Sequence, residues 1–446
     1  MIRRDFIKKT GLAVAGLSVS KIAMPTILST RSPNERVVVA VAGVNSRGRS
    51  LATTLAGLPN CEVGYVCDVD SRAMARTVES VAEVQTRRPT AEKDFRKALE
   101  NSGVDALVIA MPDFWHAPAA IIGCNMGKHV LVEKPGSHNP REGELTVEAA
   151  RKNNRIVQLF TQRRSANHIN QMIQDIRDGI IGDVFMAKTW YARRRGATNL
   201  QPTAVPEWLD WNLWQGPAPR KPYEQGLVHY DWHWLWHWGT GEALNNATHE
   251  VDVARWGLGV EFPTRVSSHG HRFLYDDSWE TPDTQTINME FPGGKLITWE
   301  GLSNTNWRTN GESRGIVFYG TNGSIQNSGG NDYIVYDRGN REIKNSRTAD
   351  SAPAEAVDRT NTVSPDLGMD AVHAQNFIET IRGNATLNAD IEVGRRTALL
   401  LHLGNIAQRT GITLDINPRT GHILNNDRKA QSLWSRTYEP GWEPKV

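Results

Sequence analysis

Residues 43–48 read Gly, Val, Asn, Ser, Arg, Gly and follow the apolar run RVVVAVA at 36–42. A strand buried on both faces, a glycine turn and a helix start in that order resemble the dinucleotide fingerprint G-x-G-x-x-G. There the first glycine permits the tight turn, the second admits a pyrophosphate and the third lets helix and strand pack. Asn45 replaces the second glycine. Asparagine tolerates a left-handed backbone better than most residues, so the turn is retained while the closest approach to the phosphates is compromised. A second apolar run, residues 62–70, carries Asp68, 25 positions beyond Gly43. A carboxylate at that strand end accepts hydrogen bonds from both hydroxyls of an adenosine ribose and repels a 2′-phosphate, which favours NAD, although Arg72 nearby leaves NADP open. The expected cofactor contacts are therefore Gly43, Asn45, Ser46, Arg47, Gly48 and Asp68.

Two more apolar runs end in chemistry. Residues 104–110 lead into Met111, Pro112, Asp113, Phe114, Trp115 and His116, and residues 129–132 lead into Glu133, Lys134 and Pro135. Open parallel sheets bind ligands outside the carboxyl ends of their strands, which makes Met111, Pro112, His116, Glu133 and Lys134 candidate cofactor contacts. A lysine held at a strand end by the following proline can direct its ammonium at a nicotinamide and a substrate hydroxyl. The competing reading is a solvated loop lysine paired with Glu133.

The densest cluster of side chains is His229, Tyr230, Asp231, Trp232, His233, Trp234, Leu235, Trp236, His237 and Trp238. The three histidines recur every four residues, so on a helix or a strand they share one side. They can hold a metal, contact sugar hydroxyls beside the indole faces, or pack as structural residues. His229, His233, His237 and Trp232 are the substrate-side candidates. Trp208, Trp211 and Trp214 are spaced by three and read as a cover segment. Arg193, Arg194 and Arg195 suit an acidic sugar or a phosphate, but more simply form a solvated strand end.

These groups need a frame, and 446 residues with 39% hydrophobic and 22% charged content supply two to three domains with real cores. A formal charge of +2 gives no general attraction to nucleic acid or anionic membrane. Three cysteines, without CxxC or Cys/His metal spacing, make neither a disulfide framework nor a zinc site. Of 15 tryptophans, nine fall between Trp190 and Trp256, which is too local for a compositional bias. The first 33 residues read as an export signal: Arg3 and Arg4, then Phe6, precede an apolar stretch at 11–23 too short to span a bilayer. The pattern resembles the twin-arginine signal, whose machinery carries folded proteins. A nucleotide-binding domain then occupies 34–155 and a substrate domain 156–446. In the latter, runs at 184–194, 284–291, 295–300 and 315–319 predict a meander-like sheet, and 345–368 a long surface loop. Residues 370–381 and 392–408 predict helices, with Leu399, Leu403 and Ile406 on one face.

The fingerprint, Asp68, the Met111-Pro112 turn to His116 and Glu133-Lys134-Pro135, in this order and spacing, resemble the Gfo/Idh/MocA oxidoreductases. The resemblance continues through the glycine-rich segment 239–252, which contains Asn245 and His249, and a C-terminal stretch at 377–415. It implies an α/β protein: an N-terminal Rossmann domain plus a C-terminal α/β domain with an open, mostly antiparallel sheet. It also implies NAD(P), a sugar or polyol substrate, homo-oligomers and no metal. By the same resemblance Lys134 and His249 form the catalytic pair, and Asn245 stands where the family usually has a carboxylate. One helical turn would put Asn245 and His249 on a shared face, hydrogen bonding kept and negative charge lost.

Export adds a constraint, because no dependable pool of free nicotinamide cofactor exists outside the cytoplasm. The expectation is an exported, periplasmic sugar or glycoside dehydrogenase whose NAD stays tightly bound and is regenerated in each cycle. A redox-neutral glycoside hydrolase and a non-catalytic carbohydrate-binding protein on the same scaffold are the alternatives.

Overall fold

The computed structural model describes residues 36–346 and 367–446. The export signal and most of the loop expected at 345–368 lie outside the described residues. Among the described residues, no helix is long and apolar enough to cross a membrane.

The N-terminal half alternates strands with helices: β1 (Val37–Ala42), α1 (Arg47–Ala56), β2 (Cys61–Cys67), α2 (Ser71–Ala82), β3 (Thr90–Glu92), α3 (Phe95–Glu100), β4 (Ala106–Ile109), α4 (Asp113–Asn125), β5 (His129–Glu133), α5 (Pro140–Lys152) and β6 (Val157–Phe160). The six strands form one parallel sheet in the order β3-β2-β1-β4-β5-β6. Its central strands are almost continuously buried, as helices on both faces require. Strand order reverses between β1 and β4, and the loops at their carboxyl ends carry the fingerprint and the Met111-Pro112 turn. That switch point is where a doubly wound sheet opens a crevice.

The chain then crosses through α6 (Asn167–Arg177) into β7 (Val184–Ala192). A covering segment follows, with β8 (Gln201–Pro202), α7 (Trp211–Gln215), β9 (Glu224–Gln225) and a 3-10 turn at Asp231–Trp234, and leads to α8 (Gly241–Asn245) and α9 (Ala247–Leu258). The second sheet is completed by β10 (Arg265–His271), β11 (Thr284–Phe291), β12 (Lys295–Leu302), β13 (Arg314–Gly320), β14 (Gly323–Asn327), β15 (Tyr333–Asp337), β16 (Glu342–Asn345) and β17 (Leu414–Asp415). Its nine strands run β16-β15-β14-β13-β7-β12-β11-β10-β17, antiparallel except for the β7–β12 pair.

The sheet is therefore not a simple meander. β7, the first strand to enter, is inserted between β12 and β13, whose sequence neighbours it displaces. The alternating burial of β11 places Gln285, Ile287, Met289 and Phe291 on the covered side, where α9 and α11 (Ile391–Thr410) pack. α10 (Leu367–Ile381) and α11 cover the predicted C-terminal helices, α10 starting earlier and ending where expected and α11 extended at both ends, and α12 (Arg428–Ser432) follows. Leu399, Leu403 and Ile406 are all buried.

Candidate active site

The glycine turn is built by close approach. Gly43 has φ +83°, and a Cβ there would sit 2.6 Å from the backbone nitrogen of Met111; one on Gly48 would sit 1.9 Å from the carbonyl oxygen of Gly43. Both positions demand glycine. Asn45 does not use the left-handed conformation; its side-chain oxygen accepts a hydrogen bond from Arg76 at 3.0 Å. Ser46 caps α1 and lines the cleft, so the free N–H groups of the first turn face a place for anions. Asp68 accepts from the backbone of Val44 (2.6 Å) and of Asp70 (2.9 Å), which ties the end of β2 to the turn. Burial raises its pKa, against those two bonds and the neighbouring His229. Arg72 is engaged elsewhere: it bonds both oxygens of Asp70 and stacks 3.5 Å over Trp208.

Arg47 does not reach toward a phosphate. It is buried, donates to Glu133 at 2.6 Å and to Asp370 of α10, and lies 4.8 Å from the Phe160 ring centroid. Glu133, bonded also to the backbone N–H of Lys134, is thus a brace for the strand end. His116 is a second brace. Its Nε2–H donates to the Met111 carbonyl (2.7 Å) and its Nδ1 accepts from Gly136 (3.3 Å), joining the two catalytic-side turns. Burial holds its pKa down at about 4.

Lys134 donates from Nζ to the carbonyl oxygen of Asn245 at 2.6 Å and to its side-chain oxygen at 2.9 Å. Burial lowers the Lys134 pKa, opposed by the charges of Glu133 and Asp113. Asn245 closes α8 and does not share a helix with His249: Asn246 breaks the helix, and α9 begins at Ala247. The expected single helical face is therefore two short helices meeting beside Lys134. No described residue hydrogen-bonds the His249 imidazole, and neither ring nitrogen is sealed from solvent. Burial and the positive charges of Arg314, Lys134, Arg163 and Arg47 hold it well below its usual pKa, hence neutral.

The three histidines spaced by four go to three places. His229 bonds Asp70 through Nε2 at 2.8 Å, at the ribose end of the cleft. His233 stacks on Trp232 (3.6 Å, 18°) and donates from Nδ1 to the Tyr230 carbonyl at 2.6 Å. That bond fixes the tautomer and leaves Nε2 as an acceptor; burial and the nearby Lys134 and Arg195 keep the ring neutral. His237 turns away, bonding the Pro219 carbonyl at 2.9 Å. His229, His233 and Trp232 line the cleft, and His237 does not.

Spacing gave no hint of two further groups. Arg195, read as part of a solvated strand end, is buried and bidentate with Glu242 (2.6 and 2.9 Å), and donates to the hydroxyls of Tyr230 (2.6 Å) and Tyr191 (3.2 Å). Asp113 accepts from Thr240 at 2.5 Å and lines the cleft, its pKa pushed by burial to about 6 from the usual 3.8. Between those two values the folded protein keeps a proton that the unfolded chain has lost, so this group's effect on stability becomes less favourable as pH rises through that window. Asp113→Asn should unfold with the parent near pH 4 and gain on the order of 1–3 kcal/mol over it above about pH 7, read by denaturant titration. Equal stability at both pH values would refute the buried acid.

The tryptophans divide as well. Phe114 contacts Trp214 and Trp238 at 5.2 and 5.3 Å, Trp211 stacks on Trp214 at 4.8 Å, and the Trp115 indole donates to the Trp214 carbonyl. The covering segment is thus clamped to the start of α4 by an aromatic core. Only Trp115, Trp214 and Trp232 reach the cleft wall.

The cleft, about 1200 Å³, runs from Asp68 past the glycine turn to Lys134, Tyr230 and His233. A turn that excludes any Cβ, a helix start with unpaired N–H groups and a carboxylate at the end of β2 fit a dinucleotide. Gly43, Asn45, Ser46, Asp68, Met111, Pro112 and Lys134 are the residues that would hold it. Fold and site together define a two-domain, NAD-binding oxidoreductase scaffold. The chain belongs to the Gfo/Idh/MocA family: residues 37–161 match the oxidoreductase family's NAD-binding Rossmann fold, and residues 169–326 match the GFO/IDH/MocA C-terminal domain.

A glycosyl hydrolase family 109 protein of Saccharopolyspora erythraea is 28% identical over 205 residues, 43% of this chain and 44% of that protein. An alpha-N-acetylgalactosaminidase of Shewanella oneidensis is 24% identical over 208 residues, 42% of this chain and 45% of that one. The chain thus spans less than half the length of these curated relatives. A levoglucosan dehydrogenase, solved with NADH and levoglucosan, superposes with a TM-score of 0.66 at 17% identity, over 85% of this chain and 99% of that one. The likeness is one of fold.

Proposed function

We propose that the protein is an exported NAD-dependent oxidoreductase acting on a hydroxyl of a sugar or glycoside, with NAD carried out of the cytoplasm in the folded chain by the twin-arginine machinery, retained through each cycle and reoxidised by returning the hydride to a keto-sugar acceptor. The observation that supports it most is Lys134 Nζ, at a strand end of the nucleotide cleft, bonded to Asn245 and within electrostatic reach of a neutral His249. When bound, NAD supplies a hydride acceptor for a carbinol carbon. The chain's own work is proton handling: His249 takes the hydroxyl proton, and Lys134 stabilises the oxygen as its negative charge grows. His233 Nε2 and the Tyr230 hydroxyl orient the sugar from the cleft wall beside Trp232. NAD is preferred to NADP because Asp68 occupies the ribose end while Arg72 is committed to Asp70 and Trp208. Assembly into homo-oligomers through the open sheet completes the proposal.

A redox-neutral hydrolase is a second reading, favoured by the names of the curated relatives. In it, transient oxidation of a ring hydroxyl would acidify the neighbouring C–H, the aglycone would be eliminated, water would add to the resulting unsaturated ketone, and return of the same hydride would restore the hydroxyl. The test uses the purified chain: acid release of NAD(H), then near-ultraviolet absorbance of bound reduced nicotinamide on adding glycosides or keto-sugars. Reversible reduction without aglycone release is the expected result. Aglycone release with no net change in NAD would establish the hydrolase instead. A preparation that neither contains nor binds nucleotide would sink both and leave a carbohydrate-binding scaffold.

A further inference from the structure

A second, small cavity lies apart from the nucleotide cleft, between the start of α5 and one face of α11. α11 presents His402, Asn405 and Arg409 to it, three and four residues apart and so on one ridge. The opposite wall is His138 and Asn139, the residues leading into α5, and Trp236 forms a side.

The wall is left unsatisfied. Both ring nitrogens of His138 and the side-chain nitrogen of Asn139 are sealed from bulk solvent without a close hydrogen-bond partner, the Tyr438 hydroxyl being the polar group that the Asn139 amide faces. Asn139 itself is only 4% exposed, and its oxygen caps α5 by accepting from Glu142. Buried polar groups in folded proteins are paired as a rule, and one left bare is destabilising because its lost hydration is not replaced. Three such atoms on one small cavity imply something that pairs with them.

Charge narrows what that is. No acidic residue lines the cavity. Arg409, exposed at its mouth, lies 4.6 Å from the Trp236 ring centroid and has no carboxylate within ion-pair distance among the described residues. Glu280 attracts it from farther off, while bonding the Trp236 N–H. Glu142, near the start of α5, is consumed by Arg436, the Tyr438 hydroxyl and the His138 N–H. The cations facing His138 are Arg436 and Arg409; His402 and His237, whose pKa values burial lowers to about 3 and about 4, are neutral beside it. A guanidinium, an amide NH2 and an imidazole N–H around a small cavity without acids match the oxygens of a small anion.

We propose that this cavity binds a small oxyanion, held by Arg409 at the mouth and by the Asn139 amide and His138 imidazole within. Its floor adjoins the cleft. Asn405 donates to the Thr240 carbonyl at 2.8 Å, and the Thr240 hydroxyl donates to Asp113 of the nucleotide cleft. Occupancy at one side of Thr240 is therefore in hydrogen-bonded contact with the other. The site does not depend on the reaction proposed above, because none of its lining residues is assigned to proton transfer.

The test is calorimetric titration of the full chain with inorganic phosphate, sulfate and galacturonate at constant ionic strength. NAD is held in excess so that the glycine turn is occupied. Saturable binding is expected, weakened at least tenfold in Arg409→Gln and in His138→Phe and unchanged in Arg308→Gln, a surface control. Binding of phosphate or sulfate alone would mark an inorganic ion site, and binding of the uronate alone a sugar carboxylate site. Absence of saturable binding, or binding indifferent to both cavity substitutions, would show a cavity holding water only and overturn the proposal. Circular dichroism of each variant establishes that it is folded.

Discussion

Lys134→Met is expected to bind NAD and lose about 10²–10⁴-fold in kcat, the range in which a positioned proton-transfer group contributes. The side chain is replaced by one of similar length, so the buried volume is kept while the charge and three N–H donors go. Two acceptors, the carbonyl and amide oxygens of Asn245, now share that ammonium at 2.6 and 2.9 Å. Neither carries a full negative charge, which leaves burial as the largest influence on Lys134 and its pKa lowered.

Asn245→Asp tests the same geometry from the other side. It places a carboxylate within hydrogen-bond distance of Nζ, and an opposite charge that close favours the ammonium by about one to two pH units. Because the Lys134 ammonium is the form that stabilises the oxygen, the basic limb of kcat/KM should move to higher pH by that amount. Nucleotide titration by fluorescence separates lost binding from lost chemistry. A Lys134→Met enzyme with near-parental turnover would remove Lys134 from the mechanism. An unmoved basic limb in Asn245→Asp would remove the coupling between the two residues.

The parts of this site that could be read from the chain are those made by local rules. A parallel strand buried on both faces is an apolar run whatever it pairs with, so β1, β2, β4 and β5 stand out, and the groups at their ends follow directly. Gly43 and Gly48 are legible because a backbone contact admits nothing larger. What escaped is settled by partners far along the chain. His229 meets Asp70 across 159 residues, Arg195 meets Glu242 across 47, and Arg47 meets Asp370 across 323. No periodicity reports such pairs. The four-residue spacing of His229, His233 and His237 suggested one surface because a regular element was assumed, whereas the chain there is a 3-10 turn between irregular segments. The break at Asn246 has neither proline nor glycine to announce it. Likewise the covering tryptophans cannot reveal from their spacing which indoles fill the core against Phe114 and which face the cleft.

The division of labour between the two neutral imidazoles gives the other large effect. Among the described residues His249 has no hydrogen-bond partner on either nitrogen, and burial with four nearby cations keeps it neutral, so both a lone pair and a ring N–H are available. His233 is already committed through Nδ1 and is held by its stack on Trp232, so only Nε2 is offered, at a fixed angle, as an acceptor. A ring whose nitrogens are not tied to the protein suits proton transfer, and a clamped one suits orientation. His249→Gln should therefore lower kcat by about 10²–10⁴-fold with KM little changed. His233→Gln keeps a hydrogen-bonding side chain but loses the clamp, and should act mainly on KM, by roughly tenfold for one misplaced hydrogen bond of about 1–1.5 kcal/mol. Steady-state kinetics on the same sugar, with bound NAD quantified in each variant, reads the split. The opposite pattern, with kcat collapsing in His233→Gln and KM rising in His249→Gln, would exchange the two roles. Loss of kcat in both, with KM unchanged, would mean that the fixed Nε2 of His233 also lies on the proton path.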